Sequence, residues 1–110
     1  MEYHEVAFSV EVAPAATGRG VVVTPRGELD MATQGELRAE LERARSTGEV
    51  TLDLGELRFL DTSGLRLVLE TAELARNDGF RFAVLPGGPS VQRLFEVAGV
   101  TELVPFVDPA

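Results

Sequence analysis

An acid, two hydroxyl groups and a glycine follow one another at Asp61-Thr62-Ser63-Gly64, after an apolar pair and before a run of leucines and valines. These residue types suit three roles: the start of a helix, a catalytic nucleophile or a site of covalent modification. Threonine or serine at a helix N-cap accepts a backbone N–H and stabilises the helix by about 1 kcal/mol. Such a cap uses one hydroxyl and leaves the other unexplained.

Catalysis by Thr62 or Ser63 is disfavoured because the chain offers no suitable base. A hydroxyl nucleophile needs a base within hydrogen-bond reach. The chain contains no lysine, no cysteine and one histidine, His4, near the N-terminus. It has neither a Gly-x-Ser-x-Gly elbow nor a glycine-rich phosphate loop. We therefore expect no enzyme activity, no catalytic residue, no cofactor and no metal site.

A phosphate on Thr62 or Ser63 would act on binding rather than on folding. It would add about −1.5 to −2 charges. The N–H groups of the helix N-terminus would partly stabilise it, and Asp61 would repel it. Asp30, in the segment 27–30 after the second predicted strand, is expected at the same end of the sheet. A partner surface fitted to a neutral hydroxyl beside a carboxylate would be disrupted by the added charge.

The hydrophobic pattern predicts the elements that position this motif. Alternating apolar residues predict four strands, at 6–12, 21–26, 50–54 and 80–85. Apolar residues at helical spacing predict helices at 31–47, 65–77 and 91–98. Residues 55–60 are interpreted as a connection and 103–107 as a last short strand. The order β-β-α-β-α-β-α-β predicts an α/β fold, a mixed β-sheet with helices on one face and an N-terminal hairpin.

Local signals refine the helices. Thr33 with Glu36 three residues later predicts a capping box at the start of the first helix. Ser90 is the expected cap of the third helix. In the second helix, Glu70 follows Arg66 by four residues, a spacing at which opposite charges pair.

The small side chain of Gly64 is also informative. Glycine costs about 1 kcal/mol relative to alanine inside a helix. We expect the glycine to keep the helix start open to an approaching partner.

The charge balance restricts the partners. Eighteen acids against ten bases give a net charge of −8, which argues against non-specific binding to nucleic acid and against docking on an anionic membrane. The sequence has no apolar stretch long enough to span a membrane, we expect no signal peptide, and the lack of cysteine suits a cytoplasmic protein. A length of 110 residues suits one domain over 1–110, with a core of about 6–107.

Taken together, these motifs resemble the STAS domain, and more narrowly the stand-alone bacterial anti-sigma factor antagonists. The resemblance covers about residues 6–107. Its most specific part is the Asp-[Ser/Thr]-[Ser/Thr]-Gly-Leu segment after the third predicted strand. Supporting segments are Gly27-Glu-Leu-Asp30, Val50-Thr-Leu-Asp-Leu54, Leu85-Pro-Gly-Gly-Pro-Ser-Val91 and Phe95-Glu-Val-Ala-Gly-Val100.

The resemblance implies a partner-switching regulator of transcription. Family members bind an anti-sigma factor, usually a serine kinase of the histidine-kinase-like ATPase fold, and thereby release a sigma factor. The kinase phosphorylates the hydroxyl directly after the motif aspartate, and a phosphatase reverses this step. By position the acceptor is Thr62. Because the usual acceptor is serine, Ser63 is the alternative. A third alternative is that neither residue is phosphorylated.

Further site residues are implied by the same resemblance. Partner-binding roles fall on the acids and their neighbours, Asp30, Asp61, Ser63, Gly64 and Arg66. Arg66 departs from the family pattern, which often has a small residue there. An arginine at this position could pair with Glu70 or with a phosphate.

Other STAS domains suggest an alternative function. Some are accessory subunits of lipid-transport ABC systems, where the domain docks on an ATPase, and some belong to stress-signalling complexes. Others form the cytoplasmic tail of anion transporters, which this chain, without a membrane region, does not resemble. The lipid-transport subunit is the main rival because it is also a short docking module.

Overall fold

The computed structural model describes residues 7–108, so His4 and Val6 lie outside the described part of the chain. Its strands are β1 Ser9–Pro14, β2 Val21–Leu29, β3 Glu49–Asp53, β4 Leu57–Leu60 and β5 Arg81–Leu85. Its helices are α1 Gln34–Ala44, α2 Thr62–Asp78 and α3 Pro89–Ala98. Short 3₁₀ turns at Arg45–Thr47 and Thr101–Leu103 complete the described elements.

The nine-residue strand β2 organises the sheet. It pairs antiparallel with β1, as the predicted hairpin requires, and parallel with both β3 and β4. Its first residues lie beside β3, and its last residues lie beside β4 after a register shift between Gly27 and Glu28. β5 continues the sheet beyond β3, giving the order β1-β2-β3-β5. Leu29 and Leu60 are register partners, so the residues that directly follow β2 and β4 lie close to each other.

The helices pack on one face of the sheet over a single apolar core. α1 contacts β2 and β3, α2 contacts β4 and β5, and α3 contacts β4. Phe95 of α3 is fully buried, and its ring meets that of Phe106 edge to face with centroids 5.1 Å apart. The predicted α/β fold with a mixed sheet and helices on one face is therefore confirmed.

Two predicted elements differ from the structure. Residues 55–60 were expected as a connection, but Leu57–Leu60 is a strand. Its buried residues, Leu57 and Leu60, are three apart because the strand is irregular, so no alternation marks it. The predicted last strand over 103–107 is wrong: only Phe106 bridges to Val84. Pro105 lacks an N–H group and cannot extend a ladder.

Two predicted caps are also wrong. The Thr33 hydroxyl donates to the Glu28 carbonyl oxygen at 2.7 Å and makes no cap bond to α1, so no capping box forms. At α3 the N-cap is Gly88 rather than Ser90. Pro89 then occupies the first turn, where its missing N–H costs nothing because that N–H would have no helical partner.

Candidate functional site

The candidate site lies where β2 and β4 end side by side. The Asp61 N–H donates to the Leu29 carbonyl oxygen at 3.1 Å, extending the β2–β4 pairing by one step. Asp30 directly follows Leu29, so the two acids come from neighbouring strand ends. The structure therefore places Asp30 and Asp61 at the same end of the sheet, as the sequence predicts.

Asp61 is the N-cap of α2. Its Oδ1 accepts from the backbone N–H groups of Ser63 at 2.8 Å and Gly64 at 3.3 Å. The helix begins at Thr62, one residue after this carboxylate. The expectation that a hydroxyl of Thr62 or Ser63 caps the helix is wrong. The negatively charged Asp61 provides the cap and also interacts favourably with the helix dipole.

Neither hydroxyl of the motif is therefore needed to cap the helix. No side-chain hydrogen bond within residues 7–108 involves the hydroxyl of Thr62 or Ser63. Thr62 is exposed and Ser63 half-buried. In this part of the chain no fully buried side-chain polar atom lacks a partner, so the unbonded Ser63 hydroxyl also reaches solvent. The site therefore presents two available hydroxyls, with Thr62 the more accessible.

The cap makes a prediction about stability. Asp61→Ala removes the acceptor for two backbone N–H groups and is expected to lower the free energy of unfolding by about 1 kcal/mol, or the melting temperature by about 4 °C. Asp61→Asn is the matched control, because asparagine caps nearly as well. Thr62→Ala and Ser63→Ala should leave the melting temperature unchanged or slightly raised. A larger loss in either alanine variant than in Asp61→Ala would contradict the assignment of the cap; calorimetry measures all four.

Asp30 has a similar local task. Its Oδ1 accepts from the N–H groups of Ala32 at 2.9 Å and Thr33 at 3.1 Å, forming the turn that leads into α1. This turn explains why α1 begins at Gln34 rather than at Met31 as predicted. Asp30 and Asp61 thus each use Oδ1 for the backbone. Neither Oδ2 atom makes a hydrogen bond within the described residues, which leaves one carboxylate oxygen on each for water or a partner.

Gly64 does not keep the helix start open, contrary to expectation. It is buried, and a Cβ atom built on it would lie 2.4 Å from Leu60 Cδ1 and 2.8 Å from Leu29 Cγ. Such distances are shorter than real Cβ contacts allow, so glycine lets α2 approach the ends of β2 and β4 closely. Gly64 thus packs the first turn of α2 against the sheet, and its burial leaves little surface for a partner to contact, so its role in partner binding stays a prediction.

The predicted ion pair between Arg66 and Glu70 is wrong. Glu70 instead accepts from Arg38 of α1, with Nη2 and Oε1 2.9 Å apart. Arg38 reaches Glu70 because α1 and α2 pack side by side. Arg66 is exposed and makes no ion pair within the described part of the chain.

Two apolar side chains near the site were missed by the sequence analysis. Met31, directly after Asp30, is 78% exposed, and Phe59, two residues before Asp61, is 48% exposed. The sequence carries no signal for Phe59, because residues 57–60 were not predicted as a strand and their burial does not alternate. It carries none for Met31 either. These side chains add apolar surface beside the two acids.

Two other kinds of site are absent from the described residues. No group of three or more His, Cys, Asp or Glu side chains among residues 7–108 is arranged to hold a metal ion. Within the same residues, no helix has both the length and the apolar character needed to cross a membrane.

Comparisons with known proteins identify the chain's relatives. A family model described as "Mlab, STAS domain" matches residues 12–105. The Anti-sigma F factor antagonist of Paenibacillus polymyxa is 34% identical over 94 residues, covering 82% of this chain and 80% of that protein.

The fold is also similar to those of solved anti-sigma factor antagonists. An anti-sigma factor antagonist from Mycobacterium paratuberculosis superimposes with a TM-score of 0.80 at 25% identity, covering 94% of this chain and 87% of that one. The anti-sigma factor antagonist SpoIIAA in its unphosphorylated form gives a TM-score of 0.71 at 26% identity, covering 94% and 89%. The Bacillus cell fate determinant SpoIIAA in the phosphorylated form gives 0.66 at 26% identity, covering 94% and 92%.

Proposed function

The chain belongs to the STAS domain family, and on this premise we propose that it is an anti-sigma factor antagonist. Like its antagonist relatives, it is a regulatory binding protein rather than an enzyme. In this role it binds an anti-sigma factor and thereby frees a sigma factor for transcription. The proposal places the chain in the bacterial cytoplasm, where sigma factors meet RNA polymerase.

The partner in this proposal is an anti-sigma factor that is also a serine/threonine kinase of the histidine-kinase-like ATPase fold. The unphosphorylated chain binds it, phosphorylation ends the binding and a phosphatase restores the first state. The single observation that carries this switch is the free Thr62 hydroxyl at the exposed start of α2, next to an acid that already caps the helix. A structure of SpoIIAA in the phosphorylated form supports the same chemistry in a relative.

The proposed reaction is a transfer of the γ-phosphoryl group of ATP held by the kinase. Thr62 Oγ1 forms the new bond to phosphorus, its proton passes to a base on the kinase, and ADP leaves. The product carries about two additional negative charges beside Asp61 and Asp30. Because the Thr62 hydroxyl makes no bond within the described fold, the change falls on the partner surface rather than on the core.

Thr62 is proposed as the acceptor in preference to Ser63. It directly follows the motif aspartate, and it is the more exposed of the two. Ser63 is half-buried and lies about 100° further round the helix, toward the side on which α1 packs. Asp30, Asp61 and Arg66 surround the acceptor in this proposal and contact the kinase.

The test uses the purified chain and an anti-sigma kinase encoded in the same genome. Without ATP, the two proteins should elute as one complex from a size-exclusion column. With Mg-ATP, the chain should gain one phosphate and elute alone. Failure of both complex formation and phosphate transfer would rule the proposal out. Binding to the ATPase of a lipid-transport ABC system, or to a stress-signalling assembly, in place of the kinase would favour the alternative functions.

A further inference from the structure

A phosphate on Thr62 would find the nearest backbone donors already in use. Four N–H groups at this helix start lack helical partners, those of Asp61, Thr62, Ser63 and Gly64. Three of them already donate: Asp61 to the Leu29 carbonyl oxygen, and Ser63 and Gly64 to Asp61 Oδ1. The helix N-terminus therefore contributes little to holding the phosphate, and the surrounding carboxylates of Asp61 and Asp30 oppose it.

Arg66 is the side chain placed to balance this charge. It follows Thr62 by four residues, so both side chains lie on the same outer face of α2, with Cβ atoms about 6 Å apart. Arg66 is exposed, and the carboxylate expected to engage it, Glu70, is held by Arg38. Its guanidinium group is therefore free to turn toward the start of the helix.

Building on the proposed phosphorylation, we infer that Arg66 binds the phosphate of phosphorylated Thr62 and is the residue that distinguishes the two states within this chain. Guanidinium groups suit this task because they form two parallel hydrogen bonds to phosphate oxygens. Arg66 thereby offsets the repulsion from Asp61 and Asp30. This pairing fixes the position of the phosphate on the surface of the phosphorylated form.

The inference is tested without any kinase, so its outcome is separate from that of the proposed function. Phosphothreonine is installed at position 62 by semi-synthesis, and the second pKa of the phosphate is measured by ³¹P NMR titration. Arg66 favours the doubly charged phosphate and lowers this pKa. Arg66→Gln is expected to raise it by about 0.2 to 0.4, the size expected for an exposed charge pair one helical turn apart.

Arg76→Gln is the matched control. Arg76 is also an exposed arginine of α2, but it lies in the last turn, roughly 21 Å along the helix from Thr62. That distance exceeds the screening length of about 10 Å at 0.1 M salt. A rise in the phosphate pKa in Arg66→Gln but not in Arg76→Gln supports the inference. Equal pKa values in the two variants would overturn it.

Discussion

Thr62→Glu is expected to weaken binding to the anti-sigma kinase by at least about 30-fold. The substitution places a permanent negative charge beside Asp61 and Asp30, on a surface that in our proposal fits a neutral hydroxyl. Like charges brought together in an interface cost several kcal/mol, and a loss of about 2 kcal/mol corresponds to that change in Kd. Isothermal titration calorimetry of the variant against the kinase, without ATP, gives the value directly.

The controls separate charge from size and from folding. Thr62→Gln has nearly the shape of Thr62→Glu without the charge and should bind within a few-fold of the unmodified chain. The free energies of unfolding of both variants should stay within about 0.5 kcal/mol of the parent, because the Thr62 side chain is exposed and unbonded. Equal weakening by glutamine and glutamate would show that charge is not the trigger. Unfolding of the glutamate variant would instead assign Thr62 a structural role.

Gly64→Ala is expected to lower the free energy of unfolding by about 1 to 3 kcal/mol, although alanine is the better helix former. The added methyl group would overlap with the side chains of Leu60 and Leu29, which are both buried in the core. The clash is relieved only if these side chains repack or the start of α2 moves away from the strands. Since Thr62 lies on that turn, the variant should also bind the kinase less tightly. Urea denaturation measures the first effect and calorimetric titration the second.

Gly35→Ala is the control that isolates the packing effect. Gly35 lies in α1, is exposed and has no atom within 4 Å of a built Cβ. There the same substitution should raise the free energy of unfolding by up to about 1 kcal/mol, since only helix propensity changes. Opposite signs at the two glycines are expected. A Gly64→Ala variant as stable as the parent would contradict the close approach of α2 to the sheet.

Much of the fold could be predicted because it follows from hydrophobic pattern. β3 and the second half of β2 have buried residues at alternate positions, and α1 has Leu37 and Leu41 on one face. β4 was missed because its two buried leucines are three apart, a spacing that indicates no period-two strand. The last strand was overpredicted because apolar residues around Pro105 suggest a strand that the proline prevents.

The location of the candidate site could be predicted from the sequence, but the residue that caps α2 could not. Asp, Thr and Ser are all good N-cap residues, so the sequence alone does not decide which of three consecutive residues takes the role. The structure decides because the pairing of Asp61 N–H with Leu29 fixes where β4 ends and α2 begins. The burial of Gly64 was within reach of the sequence: it precedes Val68 by four residues and so shares the inner face of the helix.

The partner of Glu70 was not within reach of the sequence. Local spacing favoured Arg66, but the packing of α1 against α2 brings Arg38 closer, although it is 32 residues away along the chain. This long-range contact leaves Arg66 free beside the proposed acceptor. The effect of having Arg66 in place of the small residue that is common in the family therefore depends on a contact that the sequence does not reveal.

The most direct measurement of the central claim is the position of the phosphate after incubation with the kinase and Mg-ATP. The central claim is that Thr62, whose hydroxyl the fold leaves free, is the switch. Fragmentation mass spectrometry should place the phosphate on Thr62, with no transfer to Thr62→Ala and normal transfer to Ser63→Ala. Phosphate on Ser63 in the parent chain, or undiminished transfer to Thr62→Ala, would contradict the account.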